Sequence, residues 1–475
     1  MIPMKNRGVI LEKTDRPFES RAVLNPTCIM KDGKIHMFYR AVADDMVSSV
    51  GYCILDGEKV VYRSERPVLF PEHDYERGGC EDPRIVEFEG SYHMFYVAYS
   101  GKNALIAHAV SSDLVNWEKR GIISPQMSYD EAEDHFRSSR VRDKYLFFES
   151  YFKDIVGKDV LIWEKDSFVF PRRINGKIAL IHRVLPGIQV IYADSFEQLQ
   201  RVEYWRDYFR DLNRHIILDS EFKFENRNVG GGCPPIELDE GWLLIYHAVE
   251  DRPQGKVYHA AAALLDRDDP TRVLARLPEP LFSPEVEEER MGDVNNVVFP
   301  TAALVRDGML DVYYGAADSR IMLKSMRLQD LIDALMRYPK VQRRFTTTGF
   351  RETIAKPWGK LTIFTPKRAV RTGRIMEIRA GHRLSLHYHE KKDETFTLFS
   401  GKARLYLDND RGELETVDME PMSGYQIEAR QRHRIEAVED SVVFEVSSAD
   451  AGNTVRVEDD YGRLGVRSPD EERSQ

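Results

Sequence analysis

The chain has 475 residues, 42% of them hydrophobic, and an acidic balance of −10 with a pI near 5.8, which excludes a general nucleic-acid binder needing a basic face for phosphate contacts. No stretch approaches the roughly 18 uninterrupted apolar residues of a membrane span, and the polar start Met1–Arg7 has no signal-peptide core, so a cytoplasmic protein is expected. Cys28, Cys53, Cys80 and Cys233 lack paired spacing, which argues against a disulfide framework or a cysteine-bound zinc, and the length suggests two or three domains.

Short β-prone runs ending in similar tetrapeptides recur through the first two thirds of the chain. They are Phe38-Tyr39-Arg40-Ala41, Phe95-Tyr96-Val97-Ala98, Ile181-His182-Arg183-Val184, Ile245-Tyr246-His247-Ala248 and Tyr313-Tyr314-Gly315-Ala316. Counted from the third residue of each, the steps are 57, 86, 64 and 68 residues. Each run follows a glycine-containing turn, such as Asp32-Gly33-Lys34 or Glu89-Gly90-Ser91, which is a hairpin signal. Five hairpins at a period of about 65 residues predict an all-β fold, a five-bladed β-propeller over residues 1–338. A β-sandwich with long loops is the alternative, but it leaves the recurring register unexplained. The long step marks an insertion within Ser128–Lys165, a lid or a contact in a homo-oligomer.

Gly78-Gly79-Cys80-Glu81-Asp82-Pro83-Arg84-Ile85 precedes the second run. Glycine freedom and the restriction imposed by Pro83 predict a bend that leaves Asp82 at the mouth of a strand, a position suited to a catalytic acid. The plainer alternative is a turn aspartate that accepts backbone hydrogen bonds and pairs with Arg84. If the five runs occupy equivalent places, Arg40, Arg183 and His247 converge on one end of the channel, with Asp82 beside them.

Met326–Tyr338 carries Leu328, Leu331, Ile332 and Leu335 at helical spacing and stops at Pro339, predicting one amphipathic helix. Residues 339–356 read as a basic linker, and residues 357–450 as a second domain followed by a polar tail over 451–475, its end from Ser468 disordered. In the second domain Gly381 is followed, after five residues, by His387-Tyr388-His389, then Glu394 and Gly401, with His433 further on. Alternate strand residues face one side, so His387 and His389 point together, and Glu394 and His433 complete three nitrogens and one oxygen suited to Zn²⁺, Mn²⁺ or Fe²⁺. This spacing resembles the cupin motif, which implies a small β-barrel.

Residues of about 20 to 325 resemble glycoside hydrolase family 130, the mannoside phosphorylases and related mannosidases. The likeness is carried by Leu24-Asn25-Pro26, Phe38-Tyr39-Arg40-Ala41, Glu81-Asp82-Pro83-Arg84, His182-Arg183, Gly230-Gly231-Gly232-Cys233-Pro234-Pro235, Gly241 to His247, Gly292 to Pro300 and Tyr314-Gly315-Ala316-Ala317-Asp318. The resemblance implies a five-bladed propeller in which Asp82 is the catalytic acid. Asn25, Arg40 and Asp318 would hold the mannose ring, His247 is expected to join them in binding substrate, and Lys165, His182 and Arg183 would hold inorganic phosphate as co-substrate. The activity implied is a glycoside phosphorylase, a glycosyl transfer to phosphate that turns a β-mannoside into α-mannose 1-phosphate. Inverting hydrolases set a second carboxylate roughly 6.5–9.5 Å from the acid to activate water; an anionic nucleophile needs cations there instead. Asn228 stands where many family phosphorylases carry a third cation, so a β-mannoside hydrolase stays open, as does a sugar-sensing protein without catalysis.

Lys356-Pro357-Trp358-Gly359, Leu384-Ser385-Leu386 and the run from Glu394 to Gly401 resemble the type II mannose-6-phosphate isomerase-like cupins. That likeness implies a metal-binding domain acting on, or sensing, a related sugar.

Overall fold

The computed structural model describes residues 3–139, 141–157, 160–340, 349–365, 371–390, 392–409, 411–448 and 454–464. The fold is all-β, about half strand and 14% helix, in two units, Met1–Gln342 and Arg343–Gln475. No described helix is long and apolar enough to cross a membrane.

The first unit is built from antiparallel sheets. Ala22–Lys31, Lys34–Val42, Ser48–Asp56 and Lys59–Arg63 form one group, and Gly79–Phe88, Ser91–Tyr99, Ala104–Ser111 and Glu118–Ile122 a second, joined to the first only through the parallel bridge of Ser48 with Gly79. Phe168–Val169, Ile178–His182, Ile188–Ala193 and Ile216–Leu218 make a third. Asn228–Gly231, Gly241–Arg252, Gly255–Leu265 and Val273–Arg276, with Ile236–Leu238, make a fourth. Val298–Arg306, Met309–Ala316 and Arg320–Arg327 are completed by the N-terminal strand Lys5–Leu11, which pairs with Arg320–Arg327 and fastens the two ends of the unit together.

The recurring tetrapeptides all lie on, or at the end of, the second long strand of their group. Those strands are buried on both faces, as in Gly241–Arg252, where the first ten residues are covered. This is why they read as continuous apolar runs and not as an alternation.

A second repeat, not foreseen from the sequence, locks each group from inside. The second residue of every tetrapeptide meets a glutamate with no exposed surface: Tyr39 with Glu19, Tyr96 with Glu76, His182 with Glu164, Tyr246 with Glu225 and Tyr314 with Glu289. The tyrosine hydroxyls donate at 2.6–2.7 Å. In four groups a cation closes the pair: Arg63, Lys119, Arg276 and Lys324 lie 2.7–3.0 Å from Glu19, Glu76, Glu225 and Glu289. A carboxylate so deeply buried persists only when paired and hydrogen-bonded. The third group departs, Tyr208 donating its contact through the far side of His182.

The insertion expected within Ser128–Lys165 is a pair of helices, Tyr129–Ser138 and Asp143–Val156, the first capped by Ser128, whose hydroxyl accepts from the Glu131 N–H. Tyr129, Ala132, Phe136 and Tyr145 seat it on the large core. The amphipathic helix runs Leu328–Met336, shorter than expected because Met326 still belongs to the preceding strand; Leu331, Ile332 and Leu335 face inward.

The second unit contains two antiparallel sheets. One orders Glu352–Lys356, Gly359–Ile363, Arg371–Ile378, Ser441–Ser448, Glu394–Ser400 and Gly424–Ile427. The other orders Leu414–Asp418, Ala403–Asp408, His433–Ala437, Leu386–His389 and Thr454–Glu458. Trp358, Leu361, Phe396, Leu405, Ile435 and Val443 share one core. Two expected boundaries are corrected: Glu352–Lys356 is a strand inside the supposed linker, and Thr454–Glu458 is a strand inside the supposed tail, paired with Leu386–His389. The end from Ser468 lies outside the described residues.

Candidate active site

Asp82 is not at a strand mouth, as expected, but inside the strand Gly79–Phe88, where the register breaks between Glu81 and Arg84. Asn25 sits in the same kind of break in Ala22–Lys31. Both adopt the left-handed conformation, with φ of 48° for Asn25 and 49° for Asp82, and Asp166 (60°) and Asp318 (50°) share it. Short polar side chains tolerate this region, and its clustering at one place marks a functional constraint.

The side chains of the first two groups interlock. Asn25 donates its amide to Asp82 Oδ1 at 2.8 Å, and Arg40 lies 3.5 Å from the same oxygen. Arg40 also reaches Glu81 at 2.7 Å, and Glu81 in turn holds Lys165 at 3.3 Å. Arg84, wholly buried, donates to the Gly232 carbonyl at 2.7 Å and to the Asp82 carbonyl at 3.1 Å. On its far side Arg84 approaches Asp166 at 3.9 Å, and Asp166 binds Arg183 at 2.7 Å and lies 4.0 Å from His247. Gly230 makes this possible: a Cβ there would stand 2.2 Å from the His247 ring and 2.9 Å from the Arg183 side chain. The structure therefore brings Asn25, Arg40, Asp82 and Lys165 into one cluster and joins it through Arg84 to Arg183 and His247.

His182 is a correction. Its Nδ1 meets Glu164 at 3.0 Å and its Nε2 meets the Tyr208 hydroxyl at 2.7 Å, with 1% of the residue exposed. Both nitrogens are spent inside the third sheet, so it braces that sheet and does not face an anion. Arg227, beside the departing Asn228, pairs with Asp251 at 3.0 Å and covers the rings of Phe148 and Tyr151, so it does not replace the third cation.

Burial alone would raise the Asp82 carboxyl, but the charges of Arg40, Lys165 and Arg84 and the Asn25 amide outweigh it and hold Asp82 below the usual carboxylate range. Asp318 goes the other way: burial and then the nearby Asp82 charge push it up to about 6 against the pull of Arg40 and Lys165. Burial, with Arg183 and Arg84, pushes His247 down to about 4, which keeps the ring neutral at physiological pH. The Asp318 shift has a stability consequence. Its favourable contribution is complete below the unfolded value of 3.8 and is lost as pH rises through about 6. Asp318→Asn is therefore expected to raise the melting temperature more at about pH 8 than at about pH 5. Melting curves at the two pH values check this, and equal shifts would contradict it.

Glu81 and Arg84 were recognised within the motif but without the roles seen here, and Asp166 escaped the sequence reading. The signal was there for one of them: Leu24-Asn25, Glu81-Asp82 and Lys165-Asp166 hold the same place at the first strands of successive groups.

In the second unit His387, His389, Glu394 and His433 converge, their nearest donor atoms within 4.8 Å of one another. Each imidazole has its Nδ1 engaged by an oxygen: His387 by the Ser385 carbonyl at 2.8 Å, His433 by the Gln431 carbonyl at 2.9 Å, His389 by the Thr454 hydroxyl at 3.2 Å. His389 Nε2 makes a close contact with Glu394, and His433 Nε2, buried, has no hydrogen-bond partner among the described residues. Burial and the neighbouring rings push His387 well below the ordinary histidine range. Neutral imidazoles oriented through one nitrogen by outer oxygens present the other as a metal ligand.

Residues 3–337 match the family model described as beta-1,4-mannooligosaccharide phosphorylase. The chain is 30% identical over 338 residues to the 1,2-beta-oligomannan phosphorylase of Thermoanaerobacter sp. (strain X514), covering 69% of this chain and 97% of that protein. It is 31% identical over 334 residues to the beta-1,2-mannobiose phosphorylase of the same organism, covering 67% and 94%. The solved beta-1,2-mannobiose phosphorylase of Listeria innocua shares the fold, with a TM-score of 0.51 at 21% identity over 67% of this chain and 92% of that one. A family match spanning the whole cluster from Asn25 to Asp318 makes this chain a member of glycoside hydrolase family 130, the mannoside phosphorylase family.

Proposed function

We propose that the first unit is a five-bladed propeller that catalyses inverting phosphorolysis of β-mannosides to α-mannose 1-phosphate. Five antiparallel groups, each with its own buried glutamate, support the architecture. In the reaction the bond from the anomeric carbon to the leaving oxygen breaks, a phosphate oxygen bonds to that carbon from the opposite face, and Asp82 delivers the proton to the leaving oxygen. Asn25, Arg40 and Asp318 hold the sugar.

The observation that carries phosphate over water is a set of buried donors without partners. Arg183 Nε, Arg84 NH2 and the single N–H of the neutral His247 ring have no hydrogen-bond partner among the described residues. Orphaned buried donors are costly, and a multivalent oxyanion satisfies several of them with charge-assisted bonds. Of the carboxylates nearby, Glu81 is paired with Arg40 and Lys165, and Asp166 lies 2.7 Å from Arg183. The absent third cation at Asn228 favours the second reading, a β-mannoside hydrolase.

Incubation with β-1,2- and β-1,4-mannobiose, with and without inorganic phosphate, separates the two. Mannose 1-phosphate appearing only with phosphate is expected; free mannose at equal rates in both conditions would establish the hydrolase. The same assay decides the linkage.

For the second unit we propose a cupin barrel whose His387, His389, Glu394 and His433 hold one divalent ion, Zn²⁺, Mn²⁺ or Fe²⁺, and which acts on or senses a related sugar. A bound ion there supplies Lewis-acid polarisation of a carbonyl or hydroxyl oxygen. The orphaned His433 nitrogen and the three outer oxygens on Nδ1 support the fit.

A further inference from the structure

The geometry points to Asp166 as a positioning residue that sets Arg183 for the incoming anion, a role resting on the phosphorolysis proposed above. Asp166 is 3% exposed and left-handed, the third member of the series begun by Asn25 and Asp82. In the first two groups that residue belongs to the Asp82 cluster. In the third it turns toward two guanidinium groups, Arg183 NH1 at 2.7 Å and Arg84 NH2 at 3.9 Å, with the neutral His247 ring at 4.0 Å.

Two buried guanidinium groups thus approach one carboxylate. Arg84 is fixed by carbonyls, through Nε to Gly232 and NH1 to Asp82, so Asp166 is not needed to place it. Arg183 has no such anchor: its NH1 rests on Asp166 and its Nε has no hydrogen-bond partner among the described residues. A guanidinium drawn at NH1 toward a carboxylate leaves its other N–H groups turned away from that carboxylate. The left-handed conformation and the close approach of Gly231, whose added Cβ would stand 2.8 Å from the Asp166 main-chain carbonyl, fix the backbone from which the carboxylate projects. Asp166 touches neither sugar nor phosphate; it acts through Arg183.

The test is steady-state kinetics of Asp166→Asn beside the wild type, varying phosphate and mannoside separately. The expected result is a rise of about tenfold or more in the KM for phosphate, with the KM for mannoside within about twofold. An unchanged phosphate KM, or an equal rise in both, overturns the role. A lower phosphate KM also overturns it, because it means that Asp166 competes with the anion for Arg183. The double variant Arg183→Ala with Asp166→Asn, which removes both charges of the pair and so avoids an uncompensated buried cation, covers a failure of the single variant to fold. Compared with Arg183→Ala alone, it is expected to add no further change in phosphate KM; a further rise would show Asp166 acting elsewhere. A wild type that turns over without phosphate defeats the phosphorolysis itself, whereas a phosphate-dependent wild type with an insensitive variant defeats only Asp166.

Discussion

Asp82→Asn is expected to lower turnover of β-mannosides about a thousandfold, the loss that follows when a positioned proton donor is removed, and to leave the fold intact. The amide keeps the shape of the carboxyl, and its oxygen still accepts from Asn25, which now bonds Asp82 at 2.8 Å. Arg40 keeps its shorter contact, 2.7 Å to Glu81. The resting state poses a chemical problem that this variant also addresses. Arg40, Lys165 and Arg84 hold Asp82 in its ionised form, yet a general acid must carry a proton when the bond breaks. An arriving phosphate dianion answers it, because negative charge placed against those cations weakens their hold and raises the Asp82 carboxyl. The proton balance closes over the whole reaction, since hydrogen phosphate gives up a proton as it becomes the sugar phosphate ester and the released alcohol gains one. Rates of mannose 1-phosphate release measure the effect, with far-UV circular dichroism to check folding. A variant within about tenfold of the wild type would remove Asp82 from the proton transfer.

The tetrapeptide register was legible in the sequence because a strand covered on both faces cannot hide its apolar run, and a hairpin turn needs its glycine. Its partner was not. Glu19, Glu76, Glu225 and Glu289 lie 20 to 25 residues before their tyrosines, in short helical turns whose local pattern is that of ordinary solvated acids. Only the fold reveals that they are buried. Asp82 was legible as an acid at a bend, but the bend is a bulge inside a strand, which local composition does not distinguish from a turn. His182 misled for a related reason. A histidine beside an arginine at the end of a strand invites an anion, yet alternation sends the two to opposite sides, His182 into its own sheet and Arg183 toward Asp166. His387, His389, Glu394 and His433 do converge, as expected from strand alternation and pairing, which act over a few residues; His387 and His433 are direct partners across their sheet. The strand Thr454–Glu458, whose Thr454 orients His389, was missed because its short alternation Thr-Val-Arg-Val-Glu lies within a stretch otherwise rich in charged residues.

Metal analysis of the purified chain is expected to find about one divalent ion per molecule, and His387→Ala is expected to lose most of it, since deleting one of four ligands also leaves the remaining three unable to close the site. The argument rests on preorganisation. His387, His389 and His433 are each turned by an oxygen on Nδ1 before any ion arrives, and burial keeps His387 neutral and able to donate a lone pair. An ion that binds only the folded chain stabilises it in proportion to the logarithm of its concentration over its dissociation constant. Adding a chelator to the wild type should therefore lower the melting transition of the second unit and should change little in the variant. Two results would defeat the assignment: metal content unaffected by His387→Ala, or a chelator response of equal size in both proteins. A histidine cluster serving only to pack the second unit would give the second result, because Phe396 and His433 already lie in ring contact. The chelator response thus separates a metal centre from a packed cluster, whatever sugar the second unit acts on.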